Sequence, residues 1–246
     1  MVHLRPLPGA PDYDGDLQAA IDAAVIDATT LAAAGFDGVM VENFGDAPFF
    51  ADDVPKVTVA AMTKAVDAVT AAGLPIGVNV LRNDALAALS IAAATGAAFI
   101  RVNVLSGSMF TDQGAITGKA ADVARLRAAI CPDVAVMADV FVKHAMPPAG
   151  VALDEATRDL AERGGADAII VSGAATGAAA DVDELAIVAD TTSLPVYVGS
   201  GVTADSVATT LKIADGVIVG TATKPAGRVD APVDAGLAAA IIRAAG

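Results

Sequence analysis

Cysteine is almost absent. Cys131 stands alone among 246 residues, which excludes an internal disulfide and any cysteine-rich zinc site. Such usage suits a reducing cytosol. Basic residues are scarce as well: 15 Lys and Arg face 29 Asp and Glu, for a formal net charge of −14. Nucleic-acid binding draws on clustered Lys and Arg that neutralise phosphates, and the sequence offers no such cluster, so no nucleic-acid partner is expected. No run approaches the roughly 18 uninterrupted apolar residues of a membrane span, so no transmembrane segment is expected either. The opening residues, MVHLRPLPG, lack the apolar core and cleavage pattern of a secretion signal. A cytoplasmic location is the expectation.

What is present is apolar. Hydrophobic residues make up 55% and charged residues 18%, and the mean hydropathy is +0.60. A chain of this composition builds a large core and is not intrinsically disordered. Short β-branched runs recur at Val2–Leu4, Gly38–Glu42, Ile76–Leu81, Phe99–Val104, Val134–Val140, Ala168–Ser172, Val196–Gly199 and Gly216–Gly220. Each is nearly continuous in apolar residues, as in a parallel sheet buried on both faces. Alanine-rich stretches near 15–34, 55–73, 83–96, 119–130, 154–164, 181–190, 203–212 and 232–245 read as helices, with Asp14, Asp84 and Thr203 as candidate caps. An internal echo, Gly35-Phe36-Asp37-Gly38, Gly165-Ala166-Asp167-Ala168 and Ala214-Asp215-Gly216, closes a helix and opens a strand each time. Repeated βα units without a clear linker predict one (β/α)₈ barrel domain over residues 1–246. A doubly wound open sheet is the alternative, but Leu4–Ala10 lacks its glycine-rich first turn.

In such a barrel the strand C-termini face the active site. Here they carry His3, Glu42 and Asn43, Asn79, Asn103, Asp139, Ser172 and Gly173, then Gly199-Ser200-Gly201 and Gly220-Thr221. Each Asn or Ser alone could be capping a helix; the set, gathered at one end, points to a ligand. Glycines at the last two strand ends let main-chain N–H groups approach an anion, and barrel phosphate sites are built from these two loops. Ser172-Gly173-Ala174-Ala175-Thr176-Gly177 is a third glycine-rich stretch that extends the cradle. Glu42 and Asp139 are candidate acid and base groups, and Lys143, with His144 beside it, follows Asp139. A lysine there binds phosphate, polarises a carbonyl or forms a Schiff base. Arg101 shares a strand face with Asn103 and needs a buried anion, Asp139 or Glu42, as partner. No ligand spacing supports a metal, and no cofactor is specified.

Several strings are distinctive: Met1-Val2-His3-Leu4 with Pro6-Leu7-Pro8-Gly9, Val41-Glu42-Asn43-Phe44-Gly45-Asp46-Ala47-Pro48, and Ile76-Gly77-Val78-Asn79-Val80-Leu81-Arg82-Asn83-Asp84. With Phe99-Ile100-Arg101-Val102-Asn103-Val104, Thr111-Asp112-Gln113-Gly114, the Ala138–Ala145 run, Gly199–Thr203, and Gly220-Thr221 with Lys224, they resemble the BtpA family along essentially the whole chain. The resemblance implies a TIM barrel of the ribulose-phosphate-binding type. One cyanobacterial branch of that family is linked to photosystem I biogenesis at thylakoid membranes; other members occur in non-photosynthetic bacteria and archaea. The resemblance carries over no reaction and no catalytic residues.

The expectation is therefore a barrel binding a small phosphorylated ligand, as an isomerase or aldolase-like lyase on a sugar phosphate. Phosphate falls to Gly199, Ser200, Gly201, Gly220 and Thr221. The ligand's polar body falls to His3, Asn43, Asn79, Arg101, Asn103, Ser172 and Gly173, and chemistry to Glu42, Asp139 and Lys143. The competing expectation is a non-catalytic assembly factor, which requires an exposed apolar patch. Alanine-rich outer helices are compatible with a homo-oligomer.

Overall fold

A computed structural model describes residues 1–173, 177 and 180–246. The chain runs β1 (Val2–His3), α1 (Leu17–Ala34), β2 (Val39–Glu42), α2 (Lys56–Val69), β3 (Ile76–Asn79), α3 (Ala85–Thr95) and β4 (Phe99–Val102). It continues with β5 (Ser108–Thr111), β6 (Gly114–Thr117), α4 (Ala120–Ile130), β7 (Ala135–Val140), β8 (Ala145–Met146), α5 (Leu153–Asp159) and β9 (Ala168–Val171). The last elements are α6 (Val182–Thr191), β10 (Val196–Val198), α7 (Val207–Thr210), β11 (Gly216–Val217) and α8 (Ala235–Ala245). Each of the eight apolar runs forms a strand, and these pair in parallel in the order β1-β2-β3-β4-β7-β9-β10-β11. The curl closes where the Met1 main-chain nitrogen donates to the Val219 carbonyl at 2.8 Å. There a Cβ on Gly220 would lie 3.0 Å from Cε1 of His3, so glycine lets the last strand end seat against the first. The architecture is a (β/α)₈ barrel.

Strand periodicity places two rows of side chains inside. Met1, Met40, Met137 and Ile170, with Phe99, Tyr197 and Ile218, form an apolar plug separate from the main core. Two residues further along the same strands stand His3, Glu42, Asp139, Ser172, Arg101, Gly199 and Gly220. A strand returns to the same face every second residue, so each plug residue has a mouth residue one pleat above it. The main core fills the space between the sheet and the helices, with Val39, Val41, Val78, Ile100, Val136 and Ile169 facing Leu31, Met62, Leu89 and Val188.

Helix ends follow local chemistry. Asp16, not Asp14, caps α1, accepting from the Ala19 amide at 2.9 Å, while Asp14 accepts from Asp16 itself. Asp84 caps α3 through Ala87 at 2.9 Å. Thr203 makes no side-chain cap: α7 is a single turn beginning at Val207, and the expected helix over 203–212 shrinks to turns around it. The echoed aspartates tie the barrel floor together. Asp167 accepts from the Val136 amide and Asp215 from the Val196 amide, each at 2.8 Å, so each holds the start of an adjacent strand. These motifs belong to the end of the barrel away from the mouth, where polar side chains serve stability.

α1 is long and apolar enough, by length and composition, to cross a membrane. It reaches that threshold despite Gln18, Asp22 and Asp27, which interrupt the uninterrupted apolar run the sequence criterion sought. Its Ala20, Ile21, Ala24, Ala28 and Leu31 stripe is buried, with α2 and α8 as neighbours.

One element escapes the sequence reading. β5 and β6 form an antiparallel hairpin, and β8 adds to β5 to make a three-stranded sheet. It rises from the loops after β4 and β7 and packs Met109 and Ile116 on Val104 and Val142.

Candidate active site at the barrel mouth

Glu42 ends β2 between two neighbours at its own level, His3 on β1 and Asn79 on β3. Asn79 donates from Nδ2 to Glu42 Oε2 at 2.5 Å. His3 Nε2 lies 3.7 Å from Glu42 Oε1, and the His3 ring meets Phe44 edge-on, with centroids 5.2 Å apart. All three residues are held by sheet hydrogen bonds, so the carboxylate is aimed by rigid backbone rather than by a loop.

Burial, and then the positive charges of the Met1 amino group, Lys224, Lys143 and Arg101, hold the His3 pKa well below the usual 6.5. His3 is therefore neutral at neutral pH. The unfolded chain takes up a proton near pH 6.5 while the folded one does not, so stability is complete above that pH and falls as pH drops toward the folded-state pKa. Denaturant unfolding between pH 7 and 5 checks this. The wild type should lose up to about 1.4 kcal/mol per pH unit from this group, and His3→Gln should lack that component. Equal slopes in both proteins would disprove the assignment.

Arg101 and Asp139 form a closed unit. Arg101 donates from Nε to Asp139 Oδ2 at 2.8 Å and from Nη2 to Oδ1 at 2.7 Å. Ser172 donates to Asp139 Oδ1 at 2.8 Å and accepts from Arg101 Nη2 at 3.3 Å. The two charged side chains are 2% and 0% exposed. Burial opposes the guanidinium charge, but the Asp139 charge and hydrogen bonds outweigh it, so the Arg101 pKa is raised. Asp139, expected as an acid or base, instead has both oxygens committed to Arg101 and Ser172. It positions Arg101, which lines the mouth beside the glycine loops.

Asn43, expected to face the ligand, is a loop clamp. Its Oδ1 accepts from the Leu81 amide at 2.7 Å and its Nδ2 donates to Asp46 at 3.1 Å. Lys224 is likewise structural, donating to the Val229 and Ala231 carbonyls at 2.9 Å with Asp27 at 3.5 Å. Gly199 departs from its expected role too. Its amide donates to Val171 at 2.8 Å within the sheet, so it is not available to an anion. What glycine supplies there is room: a Cβ would stand 2.6 Å from Ile170 Cγ2, 3.1 Å from Ser172 Oγ and 3.3 Å from Arg101 Nη2. Gly173 is buried at the end of β9; Thr176 and the rest of that loop, 174–176 and 178–179, lie outside the described residues.

The remaining groups converge. His3, Glu42, Arg101, Lys143, Gly199, Ser200, Gly201, Gly220 and Thr221 line one small cavity of about 30 Å³. Glu42 and Lys143 also line a second cavity of about 310 Å³, shared with Asn103, Phe44, Phe49, Leu81, Arg82, Asp112 and His144. Burial lowers the Lys143 pKa below its usual value, with Glu42 working in the opposite direction. Arg82 is buried in the loop after β3, and its Nη2 donates to the Lys143 carbonyl at 2.5 Å. Arg82, Asp112, Phe44 and Phe49 are mouth residues that sequence reasoning missed. Arg82 lies three positions beyond Asn79, past the strand end, and Asp112 rides the turn of the unforeseen hairpin. Among the described residues no group of three or more His, Cys, Asp or Glu side chains is arranged to hold a metal ion. Asn79 Oδ1, Asn103 Oδ1 and His3 Nδ1 are buried without a hydrogen-bond partner among the described residues, at a cost of about 1–3 kcal/mol each unless something fills the mouth.

Solved structures share the fold at low identity. Thiamine phosphate pyrophosphorylase from Pyrococcus furiosus superposes with a TM-score of 0.60 at 12% identity, covering 93% of this chain and 90% of that one. N-(5′-phosphoribosyl)anthranilate isomerase from the same organism gives 0.58 at 18% identity, covering 89% and 93%. Sequence relatives are much nearer. An uncharacterized protein of Thermococcus kodakarensis is 52% identical over 94% of this chain and 87% of its own length. The photosystem I biogenesis protein BtpA of Synechocystis is 46% identical over 95% of this chain and 82% of its own. The BtpA family model matches residues 1–246, and with these relatives it shows that the chain belongs to the BtpA family.

Proposed function

We propose that the barrel mouth binds a small phosphorylated molecule and catalyses a proton-transfer reaction on it, an isomerisation or aldol-type cleavage of a sugar phosphate. One observation carries this reading: a carboxylate and a lysine, Glu42 and Lys143, line the same cavity as Ser200, Gly201, Gly220 and Thr221. The main chain of the last two strand ends takes the phosphate, as helix-start and glycine-loop N–H groups take anions. Arg101, oriented by Asp139 and Ser172, lines the cavity from below with its guanidinium. Glu42 moves the proton, since its carboxylate stays open to the cavity while that of Asp139 is sealed. Lys143 stabilises the negative charge that develops on the substrate oxygen. Neutral His3 beside Glu42 supplies a second polar group without adding charge.

The relatives support the coarser part of this reading through their names alone. The enzymes sharing the fold include a phosphate pyrophosphorylase, a phosphoribosyl isomerase and, at a TM-score of 0.54 and 17% identity, a geranylgeranylglyceryl phosphate synthase from Thermoplasma acidophilum in complex with sn-glycerol-1-phosphate.

A second reading, an assembly factor like the Synechocystis relative, is favoured by one feature. Phe110 and Met146 are cross-strand partners on the outer face of the hairpin sheet, 56% and 72% exposed. A thermal-shift screen with sugar phosphates separates the two. Stabilisation by at least one phosphate ester supports the enzyme; no shift from any of them at millimolar concentration removes that reading and leaves the apolar face as the functional surface.

A further inference from the structure

The small and large cavities share Glu42 and Lys143, so one molecule can occupy both, with its reacting centre between them. The larger is oversized for a simple sugar phosphate and is built differently. Phe44 and Phe49 meet edge to face with centroids 6.2 Å apart and, with Leu81, give it an apolar wall. Around that wall stand donors and acceptors of both signs: Arg82, Lys143 and His144 on one hand, Asp112 and Glu42 on the other. A second anionic group would be attracted by Arg82 and Lys143 but repelled as much by Asp112 and Glu42. A flat neutral ring with polar edges meets apolar surface on its face and both kinds of partner on its rim. Asn103 lines the same cavity, is 3% exposed, and leaves Oδ1 without a donor. A sugar hydroxyl supplies the missing proton.

We infer that the phosphorylated sugar of the proposed reading carries a planar, polar-edged ring at the end away from its phosphate, seated between Phe44, Phe49, Arg82 and Asp112. The inference rests on that reading and narrows its substrate class to ring-bearing sugar phosphates, of which nucleoside 5′-monophosphates are the accessible probes.

Isothermal titration of the full chain with inorganic phosphate, ribose 5-phosphate, AMP, GMP, CMP and UMP tests it. At least one nucleotide should bind roughly ten-fold more tightly than ribose 5-phosphate. That ratio should fall toward one in Arg82→Met and in Asp112→Asn; the second variant alters an exposed side chain and so keeps the test alive if loss of the buried arginine disturbs folding. Binding of ribose 5-phosphate with no gain from any base overturns the inference and leaves the phosphate reading standing. A gain that survives both substitutions also overturns it, because the ring then sits elsewhere. Failure of every phosphate ester to bind removes both.

Discussion

Replacing Arg101 by methionine should lower the unfolding free energy by about 3–5 kcal/mol. The arginine neutralises Asp139 in a pocket from which both side chains are all but excluded from solvent. Deleting one partner leaves a buried carboxylate with only Ser172 to answer it, and the desolvation penalty is no longer offset. The large value therefore measures an orphaned charge rather than the net worth of the pair. Replacing both, as Arg101→Met with Asp139→Leu, should recover most of the loss, since buried ion pairs exchanged for apolar side chains of similar volume are often neutral in stability. Chemical denaturation of the two single variants and the double variant provides the cycle. If Arg101→Met costs less than about 1 kcal/mol, the range of exposed pairs, the pair is not sealed in solution and the positioning role given to Asp139 fails. The double variant should still lose phosphate affinity, because it removes the guanidinium that lines the cavity beneath the glycine loops; recovered stability with lost binding separates the two roles.

Ser200→Asp should abolish binding of the phosphorylated ligand, by about 100-fold or more, which corresponds to roughly 2.8 kcal/mol. Ser200 is 6% exposed and shares the small cavity with Gly201, Gly220 and Thr221. A carboxylate there occupies the anion's place and repels it in a partly desolvated site, where charges interact more strongly than in water. Titration with the best ester from the thermal-shift screen gives the measurement, and a far-ultraviolet circular dichroism spectrum checks that the fold persists. Should the buried aspartate unfold the chain, Thr221→Asp places the same charge on the neighbouring loop at a less buried position. Undiminished binding in a folded variant of either kind puts the phosphate somewhere other than the last two strand ends.

Much of the barrel is legible in the sequence, for a reason the structure makes plain. A strand covered on both faces must be apolar throughout, so Val39–Val41, Val136–Ala138 and Ala168–Val171 stand out as continuous runs. The first polar residue after such a run then marks where the strand leaves the core, and Glu42, Asn79 and Asp139 are found that way. The hairpin hides because its strands are four residues long and bury little beyond Met109 and Ile116. Alternation over so short a span is no stronger than chance. Its turn, Asp112-Gln113, and the positive φ of Gly114 (96°) are the only local signals.

Roles are harder to read than places. Glu42 and Asp139 look alike along the chain, both acidic and both at a strand end. They differ because Arg101 comes from the strand beside β7 and reaches Asp139 first, a matter of register between segments 38 residues apart. Asn43 follows Glu42 directly and faces the other way, into the loop it clamps. Gly199 reads as an anion-binding glycine until the sheet claims its amide.

The hairpin sheet is built from the loops after β4 and β7, and it supplies the mouth with Asp112 while Glu42 and the glycine loops stay on the scaffold. Asp112 thus stands on an element apart from the strand that carries Glu42. A change in the length or sequence of the hairpin can therefore reshape this side of the rim without shifting the register of the strands beneath, which pair among themselves in a separate sheet.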